Sequence, residues 1–348
     1  KKMLRKLKSK FKHNKIFYSY GRKKSGGPKV LCYHGVEKKI KNKKIQKLQM
    51  PLRLFEKQIK YLKKEFQIIS LDYLYECLKN NYKLSPNDVV VTFDDGYKNN
   101  NNIVLPILST MDIPFSVFVS TNYIGNDFIF PTTIIRMILY GTNLEQIDLP
   151  SQNKKYRIEN FYEKDIFHKN VIKVIKYSNF KKFNQIINDI RNLVSNDQWE
   201  ELVNCYASEL PMNWDDIINL NDHGVIIGAH SHNHVLLHDY QSASYINNQI
   251  TKSFEMIKKK IGKCNYMCYP NGGFKDISKV AHSIVKDLFQ LGFTLEHGEI
   301  LKKLDKHLLP RIFASFDYNC FKLNLNNSQS FNKSYNGLYK KYMENKYV

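Results

Sequence analysis

The chain has 348 residues, 43% of them hydrophobic, which is enough for one large domain or two small ones around a substantial core. Its formal net charge is +22, from 54 Lys and Arg against 32 Asp and Glu, and the excess is concentrated near the start. The composition excludes a membrane-spanning helix: the best apolar stretch, residues 103–119, is interrupted by Asp112 and two prolines.

Residues 1–28 read as a basic arm. Eight basic residues and no acid fall between Lys1 and Lys15, and Ser25-Gly26-Gly27-Pro28 closes the segment. Folded as a helix, residues 3–12 gather Leu4, Leu7 and Phe11 on one side, a pattern suited to an anionic membrane surface. A solvated tail is an equal rival. Nucleic acid ranks last, because no recognisable nucleic-acid motif is present. From Lys29 onward, strand-like apolar runs are expected near 29–33, 88–93, 115–120, 225–230, 265–270, 292–295 and 308–314. Helical patterns lie between them: one marked by Phe55, Ile59 and Leu62, one over 99–111, and one from Ile246 to Ile261. Alternating strands and helices predict a mainly parallel sheet.

Residues 121–212 separate two of these units by far more chain than a βα connection needs. They predict a helical insertion, with helices over 163–177, 180–194 and 196–209 and turn-forming residues around 141–154. Phe128, Phe130, Tyr140, Tyr156, Phe161 and Tyr162 are candidate sugar-stacking residues there, with core packing the better reading for most. From Asn319 the chain is rich in Asn, Ser, Lys and Tyr, and a peripheral extension is expected. The six cysteines (32, 77, 205, 264, 268 and 320) offer no second Cys pair for a structural zinc site, so buried, reduced thiols are the default. Cys32 and Cys268 sit in apolar runs, with packing as their role.

Two clusters carry chemistry. Val89-Val90-Val91-Thr92-Phe93 reads as a buried strand that delivers Asp94 and Asp95 at its C-terminal end, before Gly96 turns the chain. Adjacent strand residues point to opposite sides, so one carboxylate can bind a metal while the other stays free as a base. Val225-Ile226-Ile227-Gly228-Ala229 is followed by three histidines in five residues, His230, His232 and His234. Imidazole is the commonest metal ligand near neutral pH. Two His and one Asp leave a coordination position open, the catalytic rather than the structural pattern for zinc.

Together, Thr92-Phe93-Asp94-Asp95-Gly96-Tyr97 and His230-Ser231-His232-Asn233-His234 resemble the first two motifs of the NodB-homology polysaccharide deacetylases, carbohydrate esterase family 4. Three further segments fit. Residues 214–224 resemble the helix leading into the second motif, and Cys268-Tyr269-Pro270-Asn271-Gly272 resembles the third. Leu309-Pro310-Arg311, with Tyr33-His34 early in the chain, resembles the branch that deacetylates poly-β-1,6-N-acetylglucosamine. The resemblance covers residues 29–120 and 213–315. It implies a distorted, incomplete (β/α) barrel over 29–318, interrupted by the insertion, with catalytic residues at the C-terminal ends of strands.

It also implies roles. Asp95, His230 and His234 would hold a divalent metal, zinc in this family, with His232 at a variable position. Asp94 would be the general base, the Asn271 N–H an oxyanion donor, and Tyr97 and Tyr269 substrate-facing residues. His34 would be the acid that protonates the leaving amine, with His297 as the alternative. The third motif lacks the family's base-orienting Arg, and Arg311 is expected to supply it.

The reading is a metal-dependent N-deacetylase acting on an amino sugar of a bacterial cell-surface polysaccharide or its lipid-linked precursor. A deformylase on a lipid-linked amino sugar and an inactive glycan-binding module are the alternatives. The basic arm and the lack of a visible export signal favour the cytoplasmic face of the membrane. The first residue is Lys rather than Met, so export stays open.

Overall fold

The computed structural model describes residues 26–125, 128–301, 304–326 and 329–344. The basic arm, up to Ser25, lies outside the described residues. The strands are β1 (Lys29–Tyr33), β2 (Gly35–Glu37), β3 (Gln49–Pro51), β4 (Gln67–Ile68), β5 (Asp88–Phe93), β6 (Ser116–Val119), β7 (Gln146–Leu149), β8 (Lys154–Arg157), β9 (Ile226–Ala229), β10 (Tyr266–Cys268), β11 (Leu291–His297) and β12 (Leu309–Phe313). Seven of them close a parallel ring in the order β1-β12-β11-β10-β9-β6-β5, with β5 pairing back onto β1. The two-residue β4 flanks the start of β5. A register shift in β11 between Phe293 and His297 distorts the ring. The expected distorted, incomplete (β/α) barrel is what forms, with seven strands rather than eight.

The pleat divides each strand between two cores. Leu31, Val89, Val91, Phe93, Val117 and Ile227 belong to the outer layer. There they meet Phe55, Ile59 and Leu62 of the helix Leu52–Glu65 and Ile246, Ile250 and Ile257 of the helix Ala243–Ile261. The alternate residues Val30, Val90, Phe118, Cys268, Phe293 and Leu309 pack together in a separate cluster inside the ring. Burial on both faces explains why these strands read as continuous apolar runs.

The expected helix over 99–111 is split. A π-helical turn, Asn100–Val104, precedes a short α-helix, Leu105–Thr110. Pro106 has no N–H to continue the α-helical bonding, and the widened turn accommodates it. That turn matters for the site, because the Asn100 side chain donates to the His34 carbonyl at 2.8 Å.

The insertion contains the helices Phe161–Lys176, Phe180–Arg191 and Asn196–Cys205, close to the expected ones, and also Pro131–Gly141, which was not among them. Residues 146–157 form the antiparallel ribbon β7–β8, where only turns were expected. The insertion has its own core, including Ile135, Ile138, Phe167, Ile186 and Ile190. It is tied to the β2–β3 loop by buried Arg136. This side chain donates to the Ile45 carbonyl at 2.8 Å and pairs with buried Glu209 at 3.2 Å.

Two expectations change. The C-terminal segment is not peripheral: the helices Tyr318–Asn326 and Gln329–Met343 bury Phe321, Leu325, Tyr335 and Tyr342 in the barrel's outer core. Cys205 and Cys320 are exposed rather than buried, and all six cysteines are free. Among the described residues, no helix is long and apolar enough to cross a membrane.

At the start of β1, the Lys29 ammonium is buried. It pairs with the buried Glu299 carboxylate at 2.7 Å and donates to the Pro86 carbonyl at 2.8 Å. Removing one partner strands a charge in the interior. Glu299→Ala is therefore expected to destabilise the fold by about 3–5 kcal/mol, read as a lower midpoint in urea unfolding. A loss under about 1 kcal/mol would show that the pair carries no such weight.

Candidate active site

β5 ends at Phe93, and the chain then leaves the sheet through Asp95 (φ +73°) and Gly96 (φ +78°). A Cβ at position 96 would sit 2.8 Å from Val119 Cγ1, so both conformation and space demand glycine. The two carboxylates diverge as the sequence predicts, but the left-handed turn at Asp95 accompanies that divergence, beyond the end of the strand. Strain of this kind in a non-glycine residue concentrates at functional sites.

Asp94 points to Arg311 of β12. The guanidinium holds both carboxylate oxygens, Nη1 to Oδ1 and Nη2 to Oδ2, each at 2.7 Å. Its Nε donates to the Thr294 carbonyl at 3.0 Å, and Nη1 also reaches Thr92 Oγ1 at 3.3 Å. The Cys32 thiol donates to Asp94 Oδ2 at 3.4 Å, a contact the sequence did not suggest. Both partners of the ion pair are buried. Burial pushes the Asp94 carboxyl up, but the Arg311 charge, helped by His230, outweighs it and holds Asp94 at about 2.

Asp95 faces the histidine cluster. Its Oδ1 lies 3.1 Å from His234 Nε2 and 3.6 Å from His230 Nε2. The ligand atoms of these three residues lie within 4.8 Å of one another. His230 donates its Nδ1–H to the Cys268 carbonyl at 2.8 Å, which turns Nε2 toward Asp95 as a lone-pair donor. Burial lowers His230 to about 4, so it is neutral and ready to ligate. Left-handed backbone at Ser231 (φ +61°) and His234 (φ +51°) shapes the loop that brings the second imidazole back. His232 instead bonds Thr121 Oγ1 through Nδ1 at 2.8 Å.

The fit to a divalent metal rests on Asp95 Oδ1. It is buried, has no hydrogen-bond partner among the described residues, and is faced by two imidazole nitrogens. An N₂O donor set of this kind suits zinc with open coordination positions. Cys32, His34 and Asp94 also cluster, but Arg311 already holds Asp94, and burial raises the Cys32 thiol well above its ordinary range. That group does not fit a second ion.

A cavity of about 260 Å³ opens over this centre. His34 lines it together with Asp94, Asp95, His230 and His234; His297 is not in its wall. Asn271 (φ +57°) and Tyr269 line it as well, beside Gly272, where a Cβ would approach Leu295 N to 2.6 Å. Tyr97 lines it from a buried position and packs on Phe130 at 5.8 Å between ring centres. Of the six insertion aromatics considered from sequence, only Phe130 reaches the cavity, where its ring meets the His234 edge at 5.2 Å. The insertion supplies the opposite wall through Arg136, Lys176, Phe180 and Phe183, with Lys47 from the β2–β3 loop. Sequence reasoning missed these five residues. In a chain with 54 Lys and Arg, no local signal marks three of them as cavity residues.

The family model for polysaccharide deacetylases matches residues 81–146 and 175–289, just over half of the chain. The match spans Asp94, Asp95, His230, His234, Tyr269 and Asn271, and leaves His34 and Arg311 outside it. No curated protein matches the chain in sequence. Among solved structures, the chain is similar to IcaB from Ammonifex degensii, with a TM-score of 0.56 and 15% identity over 87% of this chain and 97% of that one. The Streptococcus pyogenes deacetylase PplD in complex with acetate gives 0.55 and 15%, over 86% and 98%. A polysaccharide deacetylase from Bacillus cereus gives 0.52 and 14%, over 86% and 69%. At these identities the likeness establishes the shared barrel. With the family match and the paired motifs in one cavity, the chain belongs to the polysaccharide deacetylases, NodB-like barrel hydrolases that cleave amide bonds of acetylated polysaccharide.

Proposed function

We propose that the protein is a metal-dependent N-deacetylase acting on the acetamido group of an amino sugar, in a bacterial cell-surface polysaccharide or its lipid-linked precursor. One observation carries this reading: in a single cavity, two adjacent carboxylates have different partners, Asp95 two imidazoles and Asp94 a guanidinium. A binding module has no use for that division. The early His34 and the Leu309-Pro310-Arg311 segment support placement near the poly-β-1,6-N-acetylglucosamine branch.

In this proposal Asp95, His230 and His234 hold a divalent metal, zinc by the donor set, which when bound acidifies water and polarises the acetamido carbonyl. Asp94 is the base. At about 2 it is ionised throughout the neutral range, and as the base it would take the proton of the attacking water. Arg311 fixes its two oxygens and favours the anion, so the base is restored once its proton is passed on. The Asn271 N–H faces the developing oxyanion, and Tyr97 and Tyr269 shape the pocket for the acetamido group. His34, held through its carbonyl by Asn100, protonates the leaving amine, which is a poor leaving group otherwise.

Acetate release from N-acetylated glycans tests the reading, with formate release from N-formyl analogues as the competing outcome. Arg311→Lys loses the bidentate clamp and is expected to lower kcat by about 10²-fold while bound metal stays near one per chain. Full activity in that variant would contradict the role of Arg311. His34→Ala is expected to lose about 10²-fold or more in kcat, whereas His297→Ala stays within about twofold of wild type. The reverse ranking would move the acid to His297. Added zinc is expected to raise the melting temperature of wild type and leave Asp95→Ala unchanged, a readout independent of turnover. Equal shifts in both would place the metal elsewhere.

A further inference from the structure

Beyond the catalytic groups, the cavity has a wall whose charge the reaction does not use. Lys47 comes from the β2–β3 loop, Arg136 from the helix Pro131–Gly141, and Lys176 from the end of the helix Phe161–Lys176. Three cations from three separate elements therefore converge on one cavity.

We propose that Lys47, Arg136 and Lys176 form a subsite for an anionic group, phosphoryl or carboxylate, carried by the glycan next to the sugar that is deacetylated. The proposal rests on the deacetylase reading and names the substrate class that reading leaves open.

The charges in and behind this wall do not balance. Asp94 is matched by Arg311, Asp95 faces the two histidines, and Glu209 is matched by Arg136. Lys47 and Lys176 remain, and among the described residues neither ammonium has a hydrogen bond or an ion pair. Asp276 acts on Lys176 only at longer range and is shared with Lys275. Lys176 ends a helix, where the dipole stabilises a cation, so alone it would say little. Lys47 has no such reason to be there. It stays open to solvent on its outer side, yet burial of its inner side and the Arg136 and Lys176 charges outweigh the longer-range Glu209 carboxylate and lower it to about 8.

Holding like charges together costs folding free energy, and such arrangements concentrate at binding sites. Arg136 is also suited to the task. Its Nε and Nη2 are occupied by Ile45, Thr133 and Glu209, while Nη1 makes only a long 3.4 Å contact with Thr132 Oγ1. The guanidinium is thereby fixed with donor capacity to spare for an oxyanion. Ile175 and Phe180 line the same wall and keep the local dielectric low, which strengthens attraction for an anion.

The test is calorimetric titration of the metal-loaded full chain with three probes: N-acetylglucosamine 1-phosphate, a disaccharide of glucuronic acid and N-acetylglucosamine, and neutral diacetylchitobiose. At least one anionic probe is expected to bind about tenfold or more tightly than the neutral one, and which one does so distinguishes phosphoryl from carboxylate. In the double variant Lys47→Ala/Lys176→Ala that ratio should fall below about threefold. It should persist in Lys259→Ala, which removes a charge from a solvent-facing helix position. Equal affinities in wild type, or an unchanged ratio in the double variant, would overturn the subsite. So would a preference lost in Asp95→Ala but kept in the double variant, because the anion would then be on the metal. Acetate release followed in parallel separates the two readings. Anion preference without acetate from any probe would sink the deacetylase and keep the subsite; acetate from chitobiose with no anion preference would do the reverse.

Discussion

The buried pair of Arg311 and Asp94 is the constraint on which the rest of the site depends. β12 and β5 are not neighbours in the ring; β1 lies between them. The guanidinium therefore reaches past Cys32 of β1 to take both oxygens of Asp94, and Thr92 and Thr294 supply its remaining contacts. Desolvating two charges is costly, and only bidentate geometry with further hydrogen bonds makes the arrangement tenable. In return Asp94 is fixed in direction and kept ionised, so it does not compete with Asp95 for the two imidazoles. The order of the strands thus decides which carboxylate meets the guanidinium and which meets the imidazoles.

The second organising feature is that the cavity is closed by a part of the chain foreign to the barrel. The insertion folds around its own core and is anchored to the β2–β3 loop by Arg136, which Glu209 holds within the insertion while its Nε donates to the Ile45 carbonyl. Arg136 therefore both secures the insertion and presents charge to the cavity. In the proposed reading the barrel ends carry the reaction groups, and the insertion wall carries groups that choose among substrates. Fold and catalytic chemistry can stay fixed in such an arrangement while specificity changes with the inserted segment.

Much of this was legible in the sequence, for physical reasons. β1 and β5 lie at the expected bounds because strands buried on both faces are unbroken apolar runs with turn residues at their ends. The catalytic centre was legible because its residues sit within a few positions of each other, at 94–95 and 230–234. Short or polar elements were not. The β7–β8 ribbon buries only Ile147 and Leu149 on β7, and β4 has two residues. The last helix, Gln329–Met343, reaches the core through Tyr335 and Tyr342, which a hydropathy pattern underweights. Lys47, Arg136 and Lys176 are 129 positions apart end to end, and only folding brings them to one wall. Cys32 read as packing and proves also to donate to Asp94, a contact between two strands that no local pattern reveals.

In the proposed mechanism two adjacent carboxylates divide metal binding from proton transfer. The measurement that tests it most directly is metal content together with acetate release from an N-acetylated glycan, for wild type and Asp94→Asn. About one metal per chain is expected in both proteins, and acetate from wild type alone. Metal lost with the Asp94 charge, or acetate still released at the wild-type rate without it, would contradict that division.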